Sequence, residues 1–160
     1  MIREIVQVGD EVLRQKCEPV TRFDQELASL LDDMKETLKK AQGAGLAAPQ
    51  VGVPLRAVIV DVPEGFFEFI NPVFVWQKGE QTGTEGCLSV TGKCGKVRRP
   101  NKVKIIYYDR KGDRYSVVAH GWFARAICHE LDHLDGILYI DKAEDLRNEV
   151  GSAALGDTAQ

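Results

Sequence analysis

An α+β fold, with mostly antiparallel sheets packed around a central helix and a further helix near the N-terminus, is what this sequence predicts. Strand-like runs follow one another through the middle of the chain without regularly alternating helices. An amphipathic helical pattern precedes them, and a helical segment free of Pro and Gly follows them. At 160 residues, 44% hydrophobic and 28% charged, the chain carries enough apolar material for one sizeable core and is short for two ordinary domains. One domain is expected over residues 1–149, with a polar, weakly ordered tail over residues 150–160.

Element by element, the helical pattern begins after Thr21. Leu27, Leu30, Leu31, Met34 and Leu38 recur at spacings of three and four with Lys and Asp on the other side, and Thr21 or Asp24 is the candidate N-cap. The helix should stop near Gly43. Residues 43–52 (GAGLAAPQVG) are small, apolar and interrupted by proline, a composition that predicts irregular backbone. Arg56–Val62 reads as a strand, and Phe66–Ile70 and Val73–Gln77 read as two more, separated by Asn71-Pro72. Val103–Tyr108 and Tyr115–Ala119 flank a turn at Asp109–Asp113. Trp122–Leu134 is predicted as the second helix, with Gly136 placed to end it and a short strand at Ile137–Ile140 to follow.

Composition excludes several function classes. Lys+Arg 21 against Asp+Glu 24 gives −3, so there is no overall basic field to collect phosphate backbones, and nucleic-acid binding is not expected. Charges at Arg3 and Glu4 interrupt the start before an apolar run of signal-peptide length, and apolar runs such as Ala57–Val60 are far shorter than the roughly 20 residues a membrane span needs. A soluble, cytoplasmic protein is expected. Cys17, Cys87, Cys94 and Cys128 contain no CxxC pair and are read as thiols. Residues 43–52 lack the Gly-Lys-Ser/Thr ending and the GxGxxG spacing of phosphate-binding loops.

The chemistry concentrates in His129-Glu-Leu-Asp-His133. On a helix, positions i and i+4 share a face with Cβ atoms roughly 5–6 Å apart, so both imidazoles can reach one metal ion. Glu130, beside the first of them, stands where a general base can reach a water without being a ligand. A catalytic site of this kind takes three protein ligands and one open position. The third ligand is either a downstream carboxylate, Glu144 or Glu149, or an upstream thiolate, Cys87 in Glu85-Gly-Cys-Leu-Ser89.

Three segments together, Gly43–Gln50 (GAGLAAPQ), Glu85–Ser89 (EGCLS) and His129–His133 (HELDH), resemble in order and spacing the three motifs of bacterial peptide deformylases. The resemblance runs from residues 8–14 (VGDEVLR) through residues 139–141 (YID), nearly the whole chain. It implies that Cys87, His129 and His133 bind one divalent ion, ferrous iron natively, with zinc, nickel or cobalt able to substitute. It implies that Glu130 is the catalytic acid/base, and that Gln50 and the backbone N–H of Leu88 form an oxyanion hole. The implied reaction is hydrolysis of the N-formyl group from the N-terminal formylmethionine of nascent polypeptides, releasing formate. The resemblance places the substrate against Gly43, Gly45, Leu46, Leu88 and Ala126, with the peptide pairing along residues 43–45 and along Glu68–Ile70. It also implies that Arg99 holds Glu85. A monomer is the default expectation. Transient proximity to the ribosome follows from the substrate, but residues 141–160 hold few basic residues, so docking through a basic C-terminal helix is not expected. Where the family often has proline after the Ser-hydrophobic pair, this chain has Thr91.

Other conspicuous residues take plainer readings. Cys128 faces away from the metal by about 100° around the helix and reads as a core thiol. Cys17 reads as structural or surface, His120 as a hydrogen-bonded strand end, and Asp132 as solvated or orienting a ligand histidine.

Overall fold

A computed structural model of the chain describes residues 1–149, so the expected weak order of the tail lies outside the described residues. The elements in order are α1 (Gln25–Ala41), β1 (Gly45–Ala47), β2 (Ala57–Val62), β3 (Gly65–Lys78), β4 (Gln81–Cys87), β5 (Val90–Arg99), β6 (Lys102–Tyr108), β7 (Arg114–His120), α2 (Gly121–Leu134) and β8 (Glu144–Asn148). Short 3₁₀ turns occupy Glu11–Arg14, Ala48–Val51 and Tyr139–Asp141. A five-stranded sheet has the order β1-β2-β3-β6-β7 and a three-stranded sheet the order β4-β5-β8. The strand pairings are antiparallel, as the expected α+β class requires.

Local chemistry sets the ends of both helices. Asp24 is the N-cap of α1, its carboxylate accepting from the Leu27 N–H at 3.1 Å. The helix ends one residue before the expected glycine, where Gln42 takes the left-handed conformation with φ of 57°. Gly136, at φ of 74°, ends α2 as expected, and a Cβ there would lie 2.5 Å from the Arg14 carbonyl oxygen.

β2 explains where the core sits. Val58 and Val60 face α2, packing with Phe69, Val103, Ile105, Phe123, Ile127 and Leu131. Ala57 and Ile59 face the other way, packing with Leu27, Leu31, Met34 and Leu38 of α1. The strand is therefore covered on both faces, which is why its sequence AVIV does not alternate with polar residues. α2 is buried nearly all round, from Phe123 through Leu131 and again at His133 and Leu134. An amphipathic helix leaves one face to water, whereas a helix wedged between layers must be covered everywhere.

Three expectations change. Residues 66–77 form one strand, not two. Asn71, at φ of 50°, and Pro72 make a register shift between Ile70 and Val73, and the Asn71 amide is pinned to Val20 by bonds of 2.8 and 2.9 Å. The strand expected at Ile137–Ile140 is replaced by the 3₁₀ turn. There Asp141 accepts from the Leu138 N–H at 3.0 Å and from Arg14 at 2.6 and 3.0 Å, and this cap outweighs the β preference of Ile and Tyr. Residues 43–52, expected to be irregular, contain the edge strand β1 followed by a 3₁₀ turn with proline at its start.

Candidate metal centre and active site

His129 and His133 project from one face of α2, their ring centroids 5.3 Å apart. The end of β4 brings Cys87 to them, with Sγ 3.4 Å from His133 Nε2. One donor atom from each of Cys87, His129 and His133 lies within 4.8 Å of the others, and all three residues are buried. Among the described residues this is the group of donors that could hold a metal ion. Glu144 and Glu149 are not in it, and Glu144 is exposed on β8, where it faces Arg98 at 3.7 Å.

Within this cluster Glu85 orients His129, while His133 Nδ1 has no hydrogen-bond partner among the described residues. Glu85 Oε1 accepts from His129 Nδ1 at 2.8 Å and from Arg99 Nη2 at 2.8 Å. Its Oε2 accepts from Arg99 Nε at 2.9 Å and from Arg125 Nη1 at 2.6 Å. Burial acts to raise the Glu85 carboxyl, but the bonds from Arg99 and His129 outweigh it and hold the group well below the usual carboxylate range. With Nδ1 committed to this carboxylate, His129 offers Nε2 to the cluster. Burial disfavours charge on His129, yet its bonds to Cys87 and Glu85 hold its pKa well above the usual imidazole value. His133 shifts the other way, lowered by burial and by the neighbouring His129. Tyr139 stacks on the His129 ring at 6.0 Å.

Glu130 is also buried, and its Oε1 has no hydrogen-bond partner among the described residues. Burial pushes its carboxyl up to about 7, with Glu85 adding to the rise and His129 and Arg99 opposing it. A buried, unpartnered carboxylate oxygen beside a cluster of one thiol and two imidazoles suits a site that accepts an ion and its water. The residues present therefore fit a bound divalent metal. Gly45 lies directly against Glu130, since a Cβ on it would come within 2.5 Å of Oε2. Gln50, from the turn after β1, is anchored by the Ala47 N–H donating to its Oε1 at 2.9 Å. Its Nε2 lies 3.1 Å from Ser89 Oγ and 3.6 Å from Cys87 Sγ.

The remaining expected residues divide. Gly43 adjoins Leu88, whose Cδ1 would meet an added Cβ at 3.0 Å. Leu46 and Ala126 are fully buried in the cores beside α1 and α2 respectively. Ile70 is paired with Ala57 on one side and Tyr108 on the other, so its backbone presents no free edge. The Glu68 carboxylate is held by Arg110 at 2.6 and 2.9 Å. Asp132 does not orient a ligand histidine: Glu85 does that, and Asp132 instead pairs with Arg99 at 2.7 Å and Lys142 at 3.0 Å. Cys128 is a core thiol, pushed up to about 12 by burial, and Cys17 is buried and raised to about 11. Sequence reasoning missed Arg125, although it stands four residues before His129, the same helical spacing that revealed His133.

Fold and donor set together place the chain among proteins that carry an HExxH helix beside a candidate metal site, here one that a thiol completes in place of a third imidazole or a carboxylate. The chain belongs to the polypeptide deformylase family, whose sequence model matches residues 2–149. It is 50% identical over 142 residues to a peptide deformylase of Thermoanaerobacter pseudethanolicus, covering 89% of each chain. It is 51% identical over 141 residues to one of Caldicellulosiruptor bescii, covering 88% of this chain and 85% of the relative. The crystal structure of peptide deformylase from Thermotoga maritima superposes with a TM-score of 0.88 at 36% identity, covering 90% of this chain and 99% of that one. That of the Synechococcus elongatus enzyme, in complex with actinonin, gives 0.86 at 38% identity, covering 89% and 79%.

Proposed function

We propose that this chain removes the N-formyl group from the N-terminal formylmethionine of nascent polypeptides by metal-dependent hydrolysis, releasing formate. One observation carries the reading: a buried Cys87-His129-His133 cluster, in a member of this family, with an unpartnered Glu130 oxygen beside it. Held by those three residues, a divalent ion supplies Lewis acidity that lowers the pKa of water from 15.7 towards about 7 and polarises a carbonyl. Glu130 takes the proton as water attacks the formyl carbon and returns it to the departing amine nitrogen. Gln50 Nε2 and the Leu88 N–H donate to the formyl oxygen as charge develops there, where one lost donor costs roughly 2.7–4 kcal/mol of barrier.

Ferrous iron is our assignment for the native ion, with zinc, nickel or cobalt as substitutes. A mixed sulfur and nitrogen site binds zinc more tightly than iron, so iron loading depends on supply. β1 stands at the edge of its sheet, and this position supports pairing with an extended peptide beside Gly45 and Glu130. Gly43 and Leu88 would wall the methionine side chain. Among the described residues no helix is long and apolar enough to cross a membrane. The reading takes residues 1–149 as a single catalytic domain, acting as a cytoplasmic monomer with transient proximity to the ribosome.

The test is formate release from a formyl-Met peptide by protein purified without oxygen, beside the same peptide carrying an acetyl group. Release from the formyl peptide, abolished by chelation and restored by ferrous iron, is the expected result. No release from fully metallated protein would overturn the proposal.

A further inference from the structure

From the geometry around Glu85 we infer that Arg125 is a positioning residue for the metal centre, holding Glu85 in the orientation that directs His129 Nε2 at the cluster. The inference rests on the metal-site reading above and assigns a role to a residue outside it. Arg125 is 3% exposed and lies one helical turn before His129 on α2. Its guanidinium reaches into the three-stranded sheet: Nη1 donates to Glu85 Oε2 at 2.6 Å and to the Val97 carbonyl at 3.1 Å, with the Gly83 carbonyl at 3.4 Å. Nη2 donates to Gln81 Oε1 at 3.3 Å, and Gln81 in turn donates to the carbonyls of Pro100 and Gly121 at 3.0 and 2.7 Å.

Two features separate this from an ordinary buried ion pair. Glu85 has two oxygens and four donors, so each donor closes one direction of carboxylate rotation: Arg99 grips both oxygens, His129 loads Oε1, and Arg125 supplies the second bond on Oε2. Without Arg125, Oε2 keeps a single donor, and the carboxylate can swing about the Arg99 fork and carry the His129 ring with it. Secondly, the sheet is shaped to receive the guanidinium. Gly83 carries no Cβ, and one built there would lie 3.0 Å from Arg125 Nη2 and 3.1 Å from its Cζ. Arg125 therefore ties β4, which delivers Cys87, to α2, which delivers both histidines.

Cobalt(II) serves as the probe, because its visible absorption reports thiolate and imidazole coordination independently of turnover. Outer partners of metal ligands typically change metal affinity 10–100-fold when removed. Arg125→Met is expected to weaken cobalt affinity by about that factor and to lower kcat on a formyl-Met peptide with KM unchanged. Arg125→Lys, which keeps the cation but not the fork, should fall between Met and wild type; it carries the same test if Arg125→Met does not fold. Wild-type cobalt affinity and kcat in a folded Arg125→Met or Arg125→Lys protein would overturn the inference. Failure of the unmodified protein to bind cobalt at all would instead overturn the metal-site reading, and this inference with it.

Discussion

At the scale of single residues, the site is a set of buried polar groups made tolerable by one another. Glu85 is the clearest case, because a carboxylate with no exposed surface needs its donors to remain ionised. Glu130 is the opposite case, a carboxyl that burial drives towards the neutral form, up to about 7. In metal-free protein its folded-state pKa thus lies above the ordinary value of 4.5, so the native state retains a proton that the unfolded chain has released. Its contribution to stability should decline as pH rises from about 4.5 to about 7. Thermal unfolding of metal-free protein across that window should show the parent losing stability relative to Glu130→Gln, which shares every other titrating group; parallel curves would refute it. Metal-loaded Glu130→Gln should keep its ion, measured by metal content, while kcat drops by about 10²–10⁴-fold for want of the proton carrier.

At the scale of elements, α2 and β1 do most of the placing. α2 fixes the His129–His133 separation by its own pitch, and its burial between layers holds that geometry rigid. β1 contributes through what it lacks, since Gly45 lets backbone lie against the Glu130 carboxylate. Gly45→Ala should leave the fold intact, by circular dichroism, and displace the Glu130 side chain, lowering kcat on the order of 10²-fold. A variant with wild-type kcat would show that Glu130 accommodates the methyl group at no cost. α1 is scaffold, and its cap is separable from the chemistry: Asp24→Ala should cost about 1 kcal/mol in denaturant unfolding without changing turnover by metal-loaded enzyme. Both helices were legible in the sequence from local signals: apolar spacings of three and four in α1, and in α2 a stretch free of Pro and Gly that ends before Gly136. β4, β5 and β8 were not, since QTGTEGC and VTGKCGKVRR are rich in Gly and poor in the alternation that marks a half-buried strand. They become strands through pairing with each other.

At the scale of the whole molecule, the proposed metal ligands join two layers that packing, the Glu85 network, the Arg99–Asp132 pair and the Gln81 bond to the Gly121 carbonyl also hold together. Cys87 belongs to the small sheet and the histidines to α2, so a bound ion should stabilise the native state by linkage, about 2.7 kcal/mol at 100 times its Kd. Chelation should lower Tm accordingly, and Cys87→Ser should abolish that dependence; an unchanged Tm in the parent on metal removal would contradict it. The HExxH pair, the adjacent acid and the identity of both helices were determined by the sequence alone, because helical periodicity relates residues four apart whatever surrounds them. From spacing alone Cys87, Glu144 and Glu149 stayed open as the third ligand; the family resemblance pointed to Cys87, and the tertiary structure is what puts Cys87, at the end of β4, beside the histidines of α2. Of the partners of Glu85, Arg99, 14 positions away, was named through the family resemblance, whereas Arg125, 40 positions away, came only from the structure. Contacts across such separations depend on register and layer packing, which short-range pattern does not encode.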